Sequence, residues 1–387
     1  MASVKSFLLA GILGSTVYSV LASPTPVQIN LSSRRELKRF SSRASKNLPK
    51  TNVPLKNYYD GTDLQWYGEI QVGTPGQKQV ALKESEGLDY PTSILADLSC
   101  DVCTKHRKFN RNESSTFSDY NEAYYAEFAT GVGVDPTNYE WLVYSAVRDV
   151  VSIAGLPAIP TDLYLITNES TGFWDAPFDG VFGYNSHGSF FQSLVDQGLA
   201  PVLGFWLAPK DIGDAQMTLG GVDEAKLEGK QVTYIPLAKE AHGFWQLEST
   251  QFGVNGQTNE ELNQIRQVYF DTATANLQFP KNTTEALYAL ISPKIKPFGD
   301  NGAYGLPCSE ISSIQARLDF TFKDQVGKDV VISVPPGELN VGPFKSDSSI
   351  CQTLINAGYD QNFIGASLLK HYYSIWDQGS ARMGFAA

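Results

Sequence analysis

The residues able to carry chemistry in this chain of 387 residues narrow quickly. There is no Gly-x-Ser-x-Gly turn, no His-Glu-x-x-His, no phosphate loop and no dinucleotide Gly-x-Gly-x-x-Gly. The four histidines (His106, His187, His242, His371) lack metal-ligand spacing, so structural or exposed roles are expected for them. Cys100 and Cys103 form one Cys-x-x-Cys pair, but Cys308 and Cys351 do not form a second, which argues against a four-thiolate zinc site. What remains is acid. Val80–Glu86 leads a strand into a turn carrying Glu84 and Glu86, and Val268–Ala273 does the same with Asp271. Further along each half comes an apolar-apolar-Gly triplet, Val181-Phe182-Gly183 and then Phe363-Ile364-Gly365. One pattern met twice reads as an internal duplication, giving two lobes with a cleft between them.

The elements that would position these acids are mostly strands. Tyr67–Val72 alternates, Gly73-Thr-Pro-Gly76 turns, and Gln77–Leu82 alternates again, which predicts a hairpin. Short strands are expected at Glu140–Tyr144, Asp162–Thr167, Leu203–Ala208, Met217–Leu219, Val232–Pro236 and Phe244–Glu248. Helical patterns are few: Phe190–Gln197, Thr283–Ile291 and Gly365–Tyr372. Nineteen Tyr, 21 Phe and frequent Gly and Pro fit a turn-rich β-protein with enough apolar residues for a sizeable core.

The first residues carry one base, Lys5, then an apolar run from Phe7 to Leu21 and small residues at Ala22 and Ser23. This pattern predicts a signal peptide over 1–22, too short for a membrane span, and hence secretion. A basic leader follows at 23–50, then lobes at 51–230 and 231–387. Residues 1–50 hold eight Lys or Arg and one acid, whereas 51–387 hold 22 basic and 40 acidic side chains, a formal −18. An acidic body excludes nucleic acid as a partner, and the leader could pair with it in cis. No later run is long enough for a bilayer and no tail suits a lipid anchor, so no membrane partner is expected. Given secretion, four cysteines suggest two disulfides, with three pairings open. Sequons at Asn112, Asn168 and Asn282 predict glycosylation.

Beyond these patterns, residues 57–387 resemble the pepsin-like aspartic peptidases (peptidase A1), especially secreted fungal members. Trp66-Tyr-Gly-Glu-Ile-Gln-Val-Gly-Thr-Pro75 is similar to the family's first hairpin, and Phe178-Asp-Gly-Val-Phe-Gly183 to its Asp-Gly-Ile-Leu-Gly segment. Met217-Thr-Leu-Gly-Gly-Val-Asp223 resembles the strand closing the first lobe. Phe270-Asp-Thr-Ala-Thr-Ala275 falls at the second catalytic loop. Gly302-Ala-Tyr-Gly-Leu-Pro-Cys308, Ser374-Ile-Trp-Asp377 and Arg382-Met-Gly-Phe385 resemble the second lobe. The resemblance implies an all-β bilobal fold, bridges Cys100–Cys103 and Cys308–Cys351, no cofactor, a monomer, and a cleft that takes a peptide or a small molecule.

The family's chemistry uses two Asp-Thr-Gly loops whose carboxylates share a proton, one activating water and the other protonating the carbonyl oxygen. Here the first loop reads Glu84-Ser85-Glu86-Gly87, and the second keeps Asp271 and Thr272 but has Ala273 for Gly. The flap's Tyr-Gly-Thr-Gly becomes Phe128-Ala129-Thr130-Gly131, and Ile-Gly-Asp becomes Ile364-Gly365-Ala366. The Trp that supports the flap Tyr has no counterpart near Tyr90-Pro91. The resemblance thus implies a degenerate Glu84/Asp271 dyad and a catalytically impaired member that keeps its cleft. An active acid peptidase with a Glu/Asp dyad, and a non-proteolytic role in fungal secondary metabolism, stay open as alternatives.

Overall fold

The computed structural model describes residues 47–85, 93–128, 140–184, 189–300 and 302–387. Residues 1–46, which hold the signal-like run and most of the leader, lie outside the described residues, as do Glu86, Tyr90-Pro91, Thr130 and His187. Alternation in the sequence becomes alternation in burial. Along the strand Asp63–Val72, Leu64, Trp66, Ile70 and Val72 point inward while Glu69 and Gln71 face solvent. It turns at Gly73 (φ 89°) and pairs antiparallel with Gln77–Glu84, so the expected hairpin forms.

The hairpin belongs to an eight-stranded sheet built from residues 56–183. A seven-stranded sheet and a four-stranded sheet, built from residues 246–364, form the other lobe. A six-stranded sheet joins the halves, with Val202–Trp206 pairing antiparallel with Tyr373–Asp377. Its aromatic floor is fully buried, with Trp376 edge-on to Phe205 at 5.7 Å and to Trp245 at 5.3 Å. The protein is therefore all-β and bilobal.

The duplication is visible in strand order. In the first lobe Gln77–Glu84 pairs parallel with Gly180–Gly183, which pairs antiparallel with Ser93–Ala96, which pairs parallel with Ile159–Glu169. In the second, Arg266–Phe270, Asn362–Ile364, Leu277–Gln278 and Ile355–Asn356 repeat those orientations in the same order. Close backbone crossings demand glycine. A Cβ on Gly180 would lie 1.9 Å from the Ile94 carbonyl oxygen, and one on Gly365 would lie 2.0 Å from that of Thr274.

Both disulfides implied by the resemblance are formed, Cys100–Cys103 and Cys308–Cys351. Among the described residues no helix is long and apolar enough to cross a membrane. The predicted helices at Phe190–Gln197 and Thr283–Ile291 are seen as Ser189–Asp196 and Lys281–Ile291. The third is shorter than expected, Ala366–Leu369, because the chain turns at Lys370 into the strand Tyr373–Asp377. At the amino-terminal end the body already holds the last of the basic stretch. The Leu48 N–H donates to the Gly198 carbonyl, and Lys50 Nζ donates to the Val222 carbonyl at 2.8 Å and pairs with Glu224.

Candidate active site

Each acidic loop leaves the end of a central strand at the same point of the repeated topology. Glu84 ends its strand in register with Gly183, and its carbonyl accepts from the Tyr184 N–H at 2.9 Å. In the other lobe Phe270 stands opposite Ile364, and the Asp271 N–H donates to the Ile364 carbonyl at 3.0 Å. The loops then meet. The Ser85 N–H donates to Thr272 Oγ1 at 3.0 Å, and the Thr272 N–H donates to Ser85 Oγ at 3.0 Å. The Thr272 hydroxyl donates onward to the Lys83 carbonyl at 2.7 Å. Both side chains are fully buried. This reciprocal pair is near-symmetric, so Glu84 and Asp271, each one residue before a member of it, flank one junction between the lobes.

Asp271 is held by its own loop. Oδ1 accepts from the Ala273 N–H at 2.8 Å and Oδ2 from the Thr274 hydroxyl at 2.6 Å. Burial raises its pKa, against the opposing pull of the Thr274 hydroxyl and the Ala273 and Thr274 amides. Ala273 replaces glycine without left-handed strain, since it is not among the residues with positive φ. Its carbonyl accepts from Gln65 Nε2 at 2.6 Å, a third tie between the first lobe and this loop. Glu84 is half-buried.

The structure thus brings together Glu84, Ser85, Asp271, Thr272 and Ala273. Phe128 ends the strand Ser118–Phe128 opposite Glu140, at the base of the hairpin whose tip lies outside the described residues. Glu86 and Thr130 cannot be placed with them. Asn112, Asn168 and Asn282 are exposed, on a short 3-10 turn, a strand and a helix.

Sequence reasoning missed three contributors. Thr274 was legible as a hydroxyl three residues beyond Asp271. Gln65 gave no signal, since its partner is 208 residues away. Lys83 sits in an apolar strand, where a lysine reads as solvent-facing, yet it is 1% exposed. Burial lowers its amine to about 7.

The reciprocal pair has a testable weight. Ser85→Ala removes the acceptor of the buried Thr272 N–H, so it should cost about 1–3 kcal/mol. Ser85→Thr, which keeps the hydroxyl, should cost less. Urea unfolding of the two variants beside wild type checks this. An alanine variant as stable as wild type would show that the pair holds nothing.

Comparison with known proteins agrees with this geometry. The family model for eukaryotic aspartyl proteases matches residues 65–387. Cathepsin E of Aquarana catesbeiana is 25% identical over 352 residues, covering 86% of this chain and 81% of its own length. An aspartic protease of Phaffia rhodozyma is 28% identical, covering 84% and 77%. Vacuolar protease A of Neurospora crassa is 27% identical, covering 90% and 83%. With two lobes of one repeated topology, two acidic loops cross-bonded at their junction and a family match over most of its length, the chain belongs to the eukaryotic aspartyl protease family.

Proposed function

We propose that this chain is a secreted member of the family that keeps the cleft for binding a peptide or small molecule and cleaves peptides poorly. One observation carries the reading: an intact frame, the Ser85–Thr272 cross-bond, supports altered chemical groups. Glu84 is one methylene longer than aspartate. Two carboxylates must share a proton and a water within about 3 Å, and a misplacement of about 1 Å can cost about 100-fold. Glu86 adds a third carboxylate where the family has glycine. At about 4 Å and an effective dielectric near 20 such a charge repels by about 4 kcal/mol.

The well-formed Asp271 loop favours a second reading, an acid peptidase using a Glu84/Asp271 dyad. Casein or a peptide library, digested from pH 3 to 7 by wild type beside Asp271→Asn, separates the two. Negligible cleavage by both is expected. Robust cleavage by wild type that vanishes in Asp271→Asn would establish the peptidase instead. If neither cleaves, comparing metabolite extracts from cells with and without the gene tests for a small-molecule role.

The same proposal covers the rest of the chain. Residues 1–22 direct secretion, 23–50 form a basic leader that pairs with the acidic body, and the lobes divide at about 230. Asn112, Asn168 and Asn282 carry glycans, and their exposure supports this.

A further inference from the structure

Lys83 is chemically misplaced. Among the described residues its Nζ has no hydrogen-bond partner and no carboxylate within ion-pair distance. It lies 5.6 Å from the centroid of the Phe182 ring and 5.7 Å from that of Tyr184. The Tyr184 hydroxyl is itself buried, with no hydrogen-bond partner among the described residues. Gly68 closes the nook, since a Cβ there would stand 3.3 Å from Lys83 Cε and 2.9 Å from the Pro54 carbonyl oxygen. Yet the same residue begins the site. Its carbonyl holds the Thr272 hydroxyl, and the next two residues are Glu84 and Ser85.

We propose that Lys83 is a positioning residue for the Glu84–Ser85 strand end, holding it in place while its amine is neutral and loosening it when the amine takes a proton. The idea rests on the reading that Glu84 and Asp271 form the site. An ammonium in this nook loses its hydration shell, and two ring faces near 6 Å do not replace it. The strand end leads toward water, since Glu84 is half-buried where Lys83 and Ser85 are buried.

Among the described residues, the groups facing Lys83 do not compensate its charge. The strand Asp63–Val72 presents Gly68, the strand Gly180–Gly183 presents Phe182, and the segment after it presents Tyr184. The second lobe meets its carbonyl with the Thr272 hydroxyl. Tyr184 titrates, but burial raises its phenol well above the ordinary value, so it stays neutral.

The direction with pH follows from linkage. Burial lowers the Lys83 amine to about 7, against about 10.4 in an unfolded chain. Between those values the open state binds more protons, so closure strengthens as pH rises from about 7 to about 10. Below about 7 the burial cost is fully present. The site is therefore tightest at alkaline pH and loosest in acid, opposite to what an acid-acting cleft needs.

Hydrogen exchange read by mass spectrometry tests this at pH 6 and pH 9, on peptides covering 80–85 and 268–274, with opening constants corrected for intrinsic exchange. In wild type the opening should be on the order of 10- to 100-fold greater at pH 6. In Lys83→Met that difference should vanish. The strand Leu318–Lys323 of the second lobe is the internal control and should not show the change. Equal opening at both pH values in wild type, a change spread evenly to the control, or an unchanged pH response in Lys83→Met would each overturn the proposal. If Lys83→Met does not fold, the wild-type contrast with the control still decides. Exchange reads the strand end whether or not the cleft cleaves anything, so failure of the site reading shows separately, in the Asp271→Asn digest.

Discussion

Replacing Lys370 by methionine should cost about 3–5 kcal/mol of stability at pH 7, because it leaves two mostly buried carboxylates without their shared cation. Lys370 follows the helix Ala366–Leu369, and its side chain is 4% exposed. Its Nζ lies 2.8 Å from Glu338 Oε2 and 3.4 Å from Asp63 Oδ2. Asp63 begins the hairpin strand of the first lobe, and its Oδ1 accepts from the Lys210 N–H at 2.8 Å. Glu338 also contacts His371 Nε2 at 3.1 Å. The network therefore fastens the second lobe to the root of the strand that carries Gln65. Burial alone would raise the Glu338 pKa, but the His371 hydrogen bond and Lys370 bring it below the ordinary value. A lowered carboxylate pKa stabilises above the unfolded value of about 4.3, and that contribution is lost as pH falls through the folded one. The gap between wild type and Lys370→Met should thus narrow in strong acid. Urea midpoints at pH 7 and pH 3 measure it. A variant within 1 kcal/mol of wild type at pH 7, taking the ~3–5 kcal/mol cost as the expectation, would mean that the pair contributes little beyond its own desolvation.

Much of this frame was legible wherever the sequence has a period. Trp66 to Val72 alternates over enough residues to announce a buried strand, and the turn at Gly73 to Gly76 announces its partner. Legibility fell where the alternation breaks. The strand expected at Glu140–Tyr144 runs on to Ser152, because Arg148 and Asp149 interrupt an apolar run that nonetheless stays paired. Asp149 is buried there, accepting from the Thr116 hydroxyl at 2.6 Å and the Val150 N–H at 2.8 Å. The repeated sheet order lay out of reach, because Leu277–Gln278, Ile355–Asn356 and Asn362–Ile364 are too short to show any period. At the site, the loops holding Glu84 and Asp271 could be found because each ends an apolar strand. No period shows what those loops bond to, since Ser85 and Thr272 are 187 residues apart; the family resemblance alone implies that loop hydroxyls tie them, with Ser85 in place of threonine. Lys83 was hidden for a different reason: nothing in a strand of alternating residues says that a lysine will be buried between aromatic rings.

Restoring the four family-like residues (Glu84→Asp, Glu86→Gly, Phe128→Tyr and Ala273→Gly) should raise acid proteolysis by about 100-fold or more over wild type. The expectation comes from unequal parts. Glu84→Asp is indispensable, because shortening the acid by one methylene restores its reach while the Ser85–Thr272 bonds already fix the backbone. Glu86→Gly removes a third carboxylate, which at about 4 Å from the pair would repel by about 4 kcal/mol. Ala273→Gly should matter least, because Ala273 is unstrained and its N–H already donates to Asp271. Single, double and fourfold variants assayed on one peptide from pH 3 to 7 order these contributions. Adding Asp271→Asn to the fourfold variant must abolish whatever is gained, since proteolysis that survives it comes from elsewhere. A wild type already as active as the fourfold variant would mean that glutamate serves in the dyad, and the chain would then be an acid peptidase. A fourfold variant that folds, keeps the Ser85–Thr272 bonds and still cleaves nothing would place the loss outside these four positions. Lys83 would be the first residue to change, because its proton is taken up before the pH falls to the range in which paired carboxylates share one.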